Sequence, residues 1–185
     1  HLNYKVNPDI AIFGKALGNG YAITAVVGTK NVMEAAQRSF ISSTFWTERI
    51  GVSAALKTLE IMEKIKSWEI ITNIGKKIRM IWQDIADDNN LSINISGIPA
   101  LSSFNFLSEN NLKYKTLITQ EMLKNSILAS NSVYTSVAHT TECLDKYSVH
   151  LNKIFSLIKS CENGVKDIDN LIEGPVCHGG FYRLN

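Results

Sequence analysis

The sequence predicts an α/β fold, in which helices and strands follow one another along a chain of 185 residues. Two short apolar runs near the start have the length of strands and enclose a glycine-rich turn. Farther along, apolar residues recur at three- and four-residue steps over several segments, which is the spacing of helices that bury one face. Between these segments, alternating apolar and polar residues predict antiparallel strands. Helices that cover such strands would form a small α+β domain.

A single lysine stands at the end of the first predicted strand. Ile10–Phe13 has the length and boundaries of a buried strand, and Gly14 and Lys15 follow it directly. The next residues, Ala-Leu-Gly-Asn-Gly, contain too much glycine for a helix, and a second apolar run, residues 23–27, ends at Gly28. A lysine in such a place is usually a solvated surface residue. A lysine with a pKa lowered by desolvation, on a stem that can swing, is instead suited to forming a Schiff base. The residues alone leave both interpretations open.

Residues 8–28 closely resemble the cofactor-lysine segment of class III aminotransferases, which are pyridoxal-phosphate enzymes of fold type I. The resemblance lies in the string PDIAIFGKALGNGYAITAVVG, and the nearest subgroup is similar to glutamate-1-semialdehyde aminomutase. It implies that pyridoxal 5'-phosphate is the cofactor and that Lys15, which follows Phe-Gly, carries it as an internal aldimine. The family often has proline where this chain has Ala22. That difference concerns the stiffness of the loop and leaves the role of Lys15 unchanged.

A second segment is rich in hydroxyl groups and precedes a long predicted helix. Taken alone, residues 42–44 and the aromatic residues after them indicate ordinary loop chemistry. The resemblance implies more, because class III enzymes have a threonine here that binds the cofactor phosphate of the neighbouring subunit. Thr44 takes that position, with Ser43 beside it, and hydroxyls near a helix N-terminus suit a phosphate. The resemblance therefore implies a homodimer with shared active sites, although Thr-Glu-Arg replaces the common Gly-Asn-Pro.

Three helices are expected after the lysine segment. A short one over residues 31–38 has Asn31 as its N-cap and Glu34 reaching back. A long one begins at Glu48, and Ser67 offers an N-cap for the next, which stops in a run of Asp and Asn. The apolar stripes of the two long helices are Val52, Ala55, Leu56, Leu59, Met62 and Ile65, and then Ile71, Ile74, Ile78, Ile81, Trp82 and Ile85.

We place the domain boundary at the end of the first long helix. Residues 1–66 are then the last part of the large cofactor-binding domain, with a mixed sheet and a connecting helix. Residues 67–185 form the small α+β C-terminal domain. No flexible linker is marked by the composition at this point.

The remaining elements follow from local patterns. Alternation around a Gly-x-Pro break predicts two antiparallel strands, at residues 91–96 and 101–107. A helix is expected over residues 113–129, and residues 127–131 resemble the family's strand that leads toward the substrate entrance. The string His-Thr-Thr-Glu at 139–142 looks catalytic, but threonine and glutamate form a natural helix start, which is the stronger interpretation. That last helix has one apolar face, made of Leu144, Tyr147, Leu151, Ile154, Phe155 and Ile158.

Composition excludes several other classes of function. With 45% hydrophobic and 19% charged residues the chain is ordinary for a globular protein. A net charge of +2 without runs of like charge gives no reason to expect nucleic acid or a membrane as partner, and no apolar run could span a bilayer. Three widely spaced cysteines predict free thiols in a cytoplasmic protein. No metal site is expected, because Cys177 and His178 have no second pair at ligand spacing.

The implied function is that of a pyridoxal-phosphate-dependent aminotransferase or aminomutase. Its substrates would be a small-molecule amino donor and acceptor, an amine and an aldehyde or keto compound. The resemblance begins just before the cofactor lysine, so we expect the chain to be the C-terminal half of a longer enzyme. The alternative is an inactive fragment, or a non-catalytic partner subunit that lacks the N-terminal half of the site. Near the end, Arg183 could meet a substrate carboxylate, but no specific pattern supports that role.

Overall fold

A computed structural model describes residues 4–180 of the chain, which separates into two compact units after Ser67. The two units are described in turn as the N-terminal unit and the C-terminal unit. Arg183, considered above for a substrate carboxylate, lies outside the described residues.

The N-terminal unit begins with a two-stranded antiparallel sheet. Strand β1, Ile10–Phe13, pairs with β2, Ala25–Gly28, from Ile10 opposite Gly28 to Phe13 opposite Ala25. The first strand is confirmed at its predicted bounds, but the prediction that it is buried was wrong, since Ile12 is 74% exposed. The second strand starts two residues later than predicted. The reason is that Ile23 packs instead against the two glycines of the neighbouring turn and helix, Gly18 and Gly51.

The short helix after β2 differs from its prediction at the cap. Helix α1, Lys30–Met33, continues as a 3₁₀ turn, Glu34–Arg38. Its N-cap position is Thr29 and not Asn31, because Asn31 already lies within the first helical turn. No side chain donates or accepts a capping hydrogen bond there.

The long helix of this unit, α2, runs over Ile50–Ile65. The predicted apolar stripe is present, but of its members only Ala55 is buried, and the side chains of Val52, Leu56 and Leu59 are at least half exposed. The apolar stripe therefore predicted the helix correctly, but within the described residues most of the stripe is not part of a buried core.

Helix α3, Ser67–Asp88, begins at the last residue of the N-terminal unit, continues in the C-terminal unit and ends in the predicted Asp-Asn run. The predicted cap by Ser67 was wrong. Lys66 ends α2 in the left-handed conformation and α3 begins at Ser67 itself, so this residue is already helical. Its buried hydroxyl has no hydrogen-bond partner among the described residues.

A three-stranded antiparallel sheet packs in the same unit, in the order β3-β4-β5. Strands β3, Ile93–Ile98, and β4, Leu101–Phe106, form the predicted hairpin, from Ile93 opposite Phe106 to Ile98 opposite Leu101. Strand β5, Ser132–Tyr134, pairs with β4. The predicted alternation of helices and strands is confirmed. All strand pairs within residues 4–180 are antiparallel, so the parallel pair that a mixed sheet requires is not formed there.

Helix α4, Asn111–Lys124, is shorter than predicted. The chain turns at Ser126, whose φ is 58°, although the apolar residues after it continue the helical spacing. The strand expected at 127–131 is also displaced, to β5. Asn131 explains this, because its side chain donates to the Phe104 carbonyl (2.8 Å) and its own carbonyl accepts from the Phe104 amide.

The last helix, α5, Thr141–Glu162, is confirmed together with its start and its apolar face. Thr140 is the N-cap, and its hydroxyl oxygen accepts a hydrogen bond from the Cys143 amide (3.3 Å). All six predicted stripe residues are buried. They pack with Trp82 of α3 and with two rings of β4, Phe104 and Phe106, and the centroids of Trp82 and Phe104 are 4.8 Å apart.

Candidate active site

Lys15 lies at the point where β1 ends. Gly14 is fully extended, and Lys15 opens a 3₁₀ turn, Lys15–Leu17, that is closed by a hydrogen bond from the Leu17 amide to the Gly14 carbonyl (3.1 Å). The lysine is solvent-exposed within the described residues. Lys15 therefore lies just after the end of β1, and the 3₁₀ turn leads the following residues away from this position.

The backbone of Lys15 is in the left-handed region, with φ of 50°. In a residue other than glycine this conformation costs on the order of 1 kcal/mol or more. Lys5, Asn19, Lys66, Asn90 and Ser126 share it, and the last three follow the end of a helix, where it is common. Lys5 and Asn19, like Lys15, lie in turns. The left-handed backbone of Lys15 therefore belongs to the turn that it begins.

The turn after Lys15 contains two glycines, Gly18 and Gly20, at positions where a side chain would not fit the backbone. A Cβ on Gly18 would lie 2.1 Å from the Tyr21 carbonyl oxygen and 2.8 Å from Ile23 Cγ2. Gly20 has φ of 108°, which side chains rarely adopt. The turn after Lys15 therefore depends on glycine for its shape, as the composition of the segment indicated.

A cavity of about 910 Å³ opens beside Lys15, entirely within the N-terminal unit. The lysine segment forms one part of its wall, and the hydroxyl-rich segment with the start of α2 forms another. Ser43 lines the cavity together with Lys15, whereas Thr44 does not and is exposed. The residues whose side chains give the wall its chemistry are Lys15, Tyr21, Thr24, Ser42, Ser43, Phe45, Trp46 and Glu48.

The hydroxyl-rich segment is held by local hydrogen bonds. The Ser43 hydroxyl oxygen accepts from the Phe45 amide (3.3 Å), and the Phe45 carbonyl accepts from the Glu48 amide (3.1 Å). The Glu48 carboxylate accepts from the amides of Ile50 and Gly51, the latter at 2.9 Å. Glu48 was not identified as a site residue from the sequence. The signal for it was the replacement of Gly-Asn-Pro by Thr-Glu-Arg.

The other candidates lie in the C-terminal unit. The Nδ1 atom of His139 accepts from the Ser136 amide (2.9 Å), so this ring supports the turn that leads into α5. The Cys177 amide donates to the Thr116 hydroxyl (2.9 Å). Among the described residues, no group of three or more His, Cys, Asp or Glu side chains could hold a metal ion. No helix in the described part of the chain is long and apolar enough to cross a bilayer.

The fold matches solved structures of pyridoxal-phosphate transaminases. The internal aldimine form of the FumI protein from Sphingopyxis sp. MTA144 aligns with a TM-score of 0.79 at 20% identity, over 92% of this chain and 42% of that one. An S-selective transaminase from Arthrobacter sp. with alanine bound aligns with a TM-score of 0.73 at 20% identity, over 87% of this chain and 41% of that one. The chain thus has the fold of part of these enzymes.

The chain belongs to the class III aminotransferase family, whose model matches residues 1–159. It is 31% identical to a 3-aminobutyryl-CoA aminotransferase of Cloacimonas acidaminovorans, over 76% of this chain and 36% of that protein. It is 27% identical to a glutamate-1-semialdehyde 2,1-aminomutase of Methanosphaera stadtmanae, over 77% of this chain and 38% of that protein. The chain therefore spans somewhat under two fifths of the length of these curated relatives.

Proposed function

We propose that this chain supplies the cofactor-binding lysine of a pyridoxal-phosphate-dependent aminotransferase or aminomutase, and that Lys15 is that lysine. Family membership supports the reaction class. The observation that carries the assignment to Lys15 is its position at the end of a strand, on the wall of a cavity shared with hydroxyl side chains.

The residues present fit the cofactor. A volume of about 910 Å³ lies within the range of small-molecule sites, roughly 300–1,000 Å³. An amine suits the aldehyde of pyridoxal phosphate, and the hydroxyls of Ser42 and Thr24 are donors suited to polar groups of a ligand. The aromatic residues at the same wall, Tyr21 and Trp46, can exclude water from one side of a flat ring.

The chemistry would divide between the cofactor and Lys15. When bound, pyridoxal phosphate acts as an electron sink for a carbanion at the substrate α-carbon. Lys15 is the residue that would hold the cofactor, since its Nζ is a primary amine on the cavity wall. With the substrate amine in its place, the free Nζ would serve as general base for the proton on the substrate α-carbon. The long lysine stem allows both positions of the amine.

We infer that Thr44, with Ser43 beside it, serves the cofactor phosphate of a second copy in a homodimer. Thr44 is exposed and does not line its own chain's cavity, which agrees with a contact made outside that cavity. The substrates would be a small-molecule amino donor and a carbonyl acceptor, which is the substrate class that the aminotransferase family implies. A cytoplasmic location belongs to the same proposal, because all three cysteines are free thiols.

The test uses the full-length protein that contains this chain, loaded with pyridoxal phosphate. The visible absorption band of the covalently bound cofactor should disappear in Lys15→Ala, and reduction with borohydride followed by peptide mass analysis should place the added mass on Lys15. Lys30→Ala is the matched control, since Lys30 is also an exposed lysine of this unit and does not line the cavity. A band that persists in Lys15→Ala, or an adduct on another lysine, would overturn the assignment.

A further inference from the structure

Two of the first backbone amides of helix α2 donate hydrogen bonds to the side chain of Glu48, which lies just before the helix. Both oxygens of the Glu48 carboxylate accept backbone hydrogen bonds, Oε1 from the Ile50 amide and Oε2 from the Gly51 amide. Amides at a helix start otherwise lack partners and attract anions. Here a carboxylate satisfies two of them and places its own negative charge at the helix N-terminus.

The same residue also fixes the loop that precedes it. The Glu48 amide donates to the Phe45 carbonyl, and the Phe45 amide donates to the Ser43 hydroxyl oxygen. These bonds connect Ser43 to the start of α2 and enclose Thr44 between them. Glu48 therefore contacts the loop through its backbone amide and the start of α2 through its carboxylate, and Thr44 lies between the two loop residues, Ser43 and Phe45, that these bonds hold.

The start of α2 is in turn held against the segment that follows the lysine turn. A Cβ on Gly51 would lie 2.6 Å from the Ala22 carbonyl oxygen and 3.3 Å from Ile23 Cβ, so the helix and this backbone are in direct contact. Gly51 is buried. Through Gly51 and Glu48, the loop that carries Thr44 is positioned relative to the lysine segment.

We propose that Glu48 is a positioning residue for the phosphate contact of Thr44. The proposal rests on the proposed function and extends it in one respect. The two α2 amides occupied by Glu48 do not bind the phosphate, so the contact is made by the Ser43–Thr44 loop, in the geometry that the Glu48 carboxylate maintains.

The experiment compares the cofactor with its analogue that lacks the phosphate. Apo full-length protein is titrated with pyridoxal 5'-phosphate and, separately, with pyridoxal. In Glu48→Ala we expect the dissociation constant for pyridoxal phosphate to rise about tenfold, as for the loss of hydrogen bonds to a charged group, with that for pyridoxal within about twofold of wild type. Glu48→Asn should restore part of the affinity, because asparagine keeps one side-chain oxygen that can accept from an α2 amide.

The controls separate positioning from general destabilisation. Glu60→Ala removes an equal charge from the exposed face of the same helix, where Glu60 pairs with Lys57 at 2.7 Å, and should change neither constant. Thr44→Ala should show the same selective loss as Glu48→Ala, and the double variant should show no further loss, because the two residues act through one contact.

Three results would overturn the proposal: equal weakening of both ligands in Glu48→Ala, wild-type affinity in that variant, or no rescue by asparagine. If Glu48→Ala does not fold, Glu48→Met decides, since its side chain has a similar length but no oxygen that can accept from the α2 amides, and it should weaken pyridoxal phosphate selectively. Equal affinity for wild type and Glu48→Met would then reject the role. Failure here leaves the assignment of Lys15 intact, because that assignment is tested by the covalent band.

Discussion

At the scale of single residues, polar atoms of buried tryptophan and tyrosine side chains in the C-terminal unit make hydrogen bonds with other side chains. The Trp82 indole donates to the Tyr147 hydroxyl (2.8 Å) inside the core, and burial raises the pKa of Tyr147 above its ordinary value. The Tyr114 hydroxyl donates to the Glu162 carboxylate (2.6 Å) and links α4 to α5. Such pairs satisfy the tyrosine and tryptophan atoms that an apolar stripe would otherwise leave without partners.

Tyr114 gives a prediction about alkaline pH. Desolvation first, and then the hydrogen bond to Glu162, raise the pKa of Tyr114 from 10.0 to about 12. The stabilising contribution is complete below pH 10 and is lost as the pH rises toward about 12, because the unfolded chain releases the proton first. Tyr114→Phe should cost about 1–3 kcal/mol at neutral pH and should make stability less dependent on pH in that window.

Urea unfolding of the wild type and Tyr114→Phe, below and within that pH window, measures this effect. Tyr134→Phe is the matched control, since Tyr134 is 76% exposed and belongs to the same unit. Parallel pH profiles for wild type and Tyr114→Phe would contradict the expected role of the buried hydroxyl.

The capping residues show what sequence can and cannot predict at this scale. The start of α5 within residues 139–142 was predicted correctly, and Thr140 is the residue that caps it. Ser67 was not predicted correctly, since the backbone of Lys66 allows α3 to begin without a separate cap. Glu48 was missed as well, because its role depends on where the Gly51 amide lies and not on its neighbours in sequence.

At the scale of secondary structure, periodicity located most elements and failed where tertiary contacts ended them. The β3–β4 hairpin is local and was predicted. Helix α4 was extended too far, because Ile127 and Ala129 keep the helical spacing after the chain has turned at Ser126. The stripe of α2 was recognised although most of it is exposed in the described residues. Periodicity therefore indicates which face of an element is apolar but not whether anything covers it.

The contact between α3 and the β3–β4 turn gives a prediction for this scale. Gly75 is buried in α3, and a Cβ there would lie 1.8 Å from the Pro99 carbonyl oxygen. Alanine at a helix-interior glycine usually stabilises by about 1 kcal/mol. At Gly75 the sign should reverse, and Gly75→Ala should destabilise by about 1–3 kcal/mol, because the helix must move away from the turn.

Chemical denaturation measures that change, with Lys76→Ala as the control at the adjacent exposed position of the same helix. The control should be neutral or slightly stabilising, since alanine has the higher helix propensity. A stabilised Gly75→Ala protein would show that the turn yields to the methyl group.

At the scale of the whole chain, the sequence predicted the family better than the geometry of the site. The family resemblance lies in contiguous residues around Lys15 and could be recognised directly. The cavity forms from residues 15–26 together with 41–52, and its aromatic and acidic walls come from segments that no local pattern joins. That is why Lys15 and Ser43 were named from sequence, whereas Glu48 and Trp46 were not.

The two units differ in how their apolar side chains are buried, and this difference gives the last prediction. The cluster of buried residues around Trp82, Phe104 and Phe155 lies entirely in the C-terminal unit. In the N-terminal unit Ile12, Val27 and Leu56 are all about half exposed or more.

When this 185-residue chain is produced by itself, amides of β3, β4 and α5 should exchange with deuterium on the order of 100-fold more slowly than those of β1 and β2. The C-terminal unit opens only by disrupting its core, whereas the two-stranded sheet can open locally, since isolated hairpins are marginally stable in water. Residue-resolved hydrogen exchange provides the measurement, and equal protection of the two sheets would show that the N-terminal unit gains its stability from something other than side-chain burial.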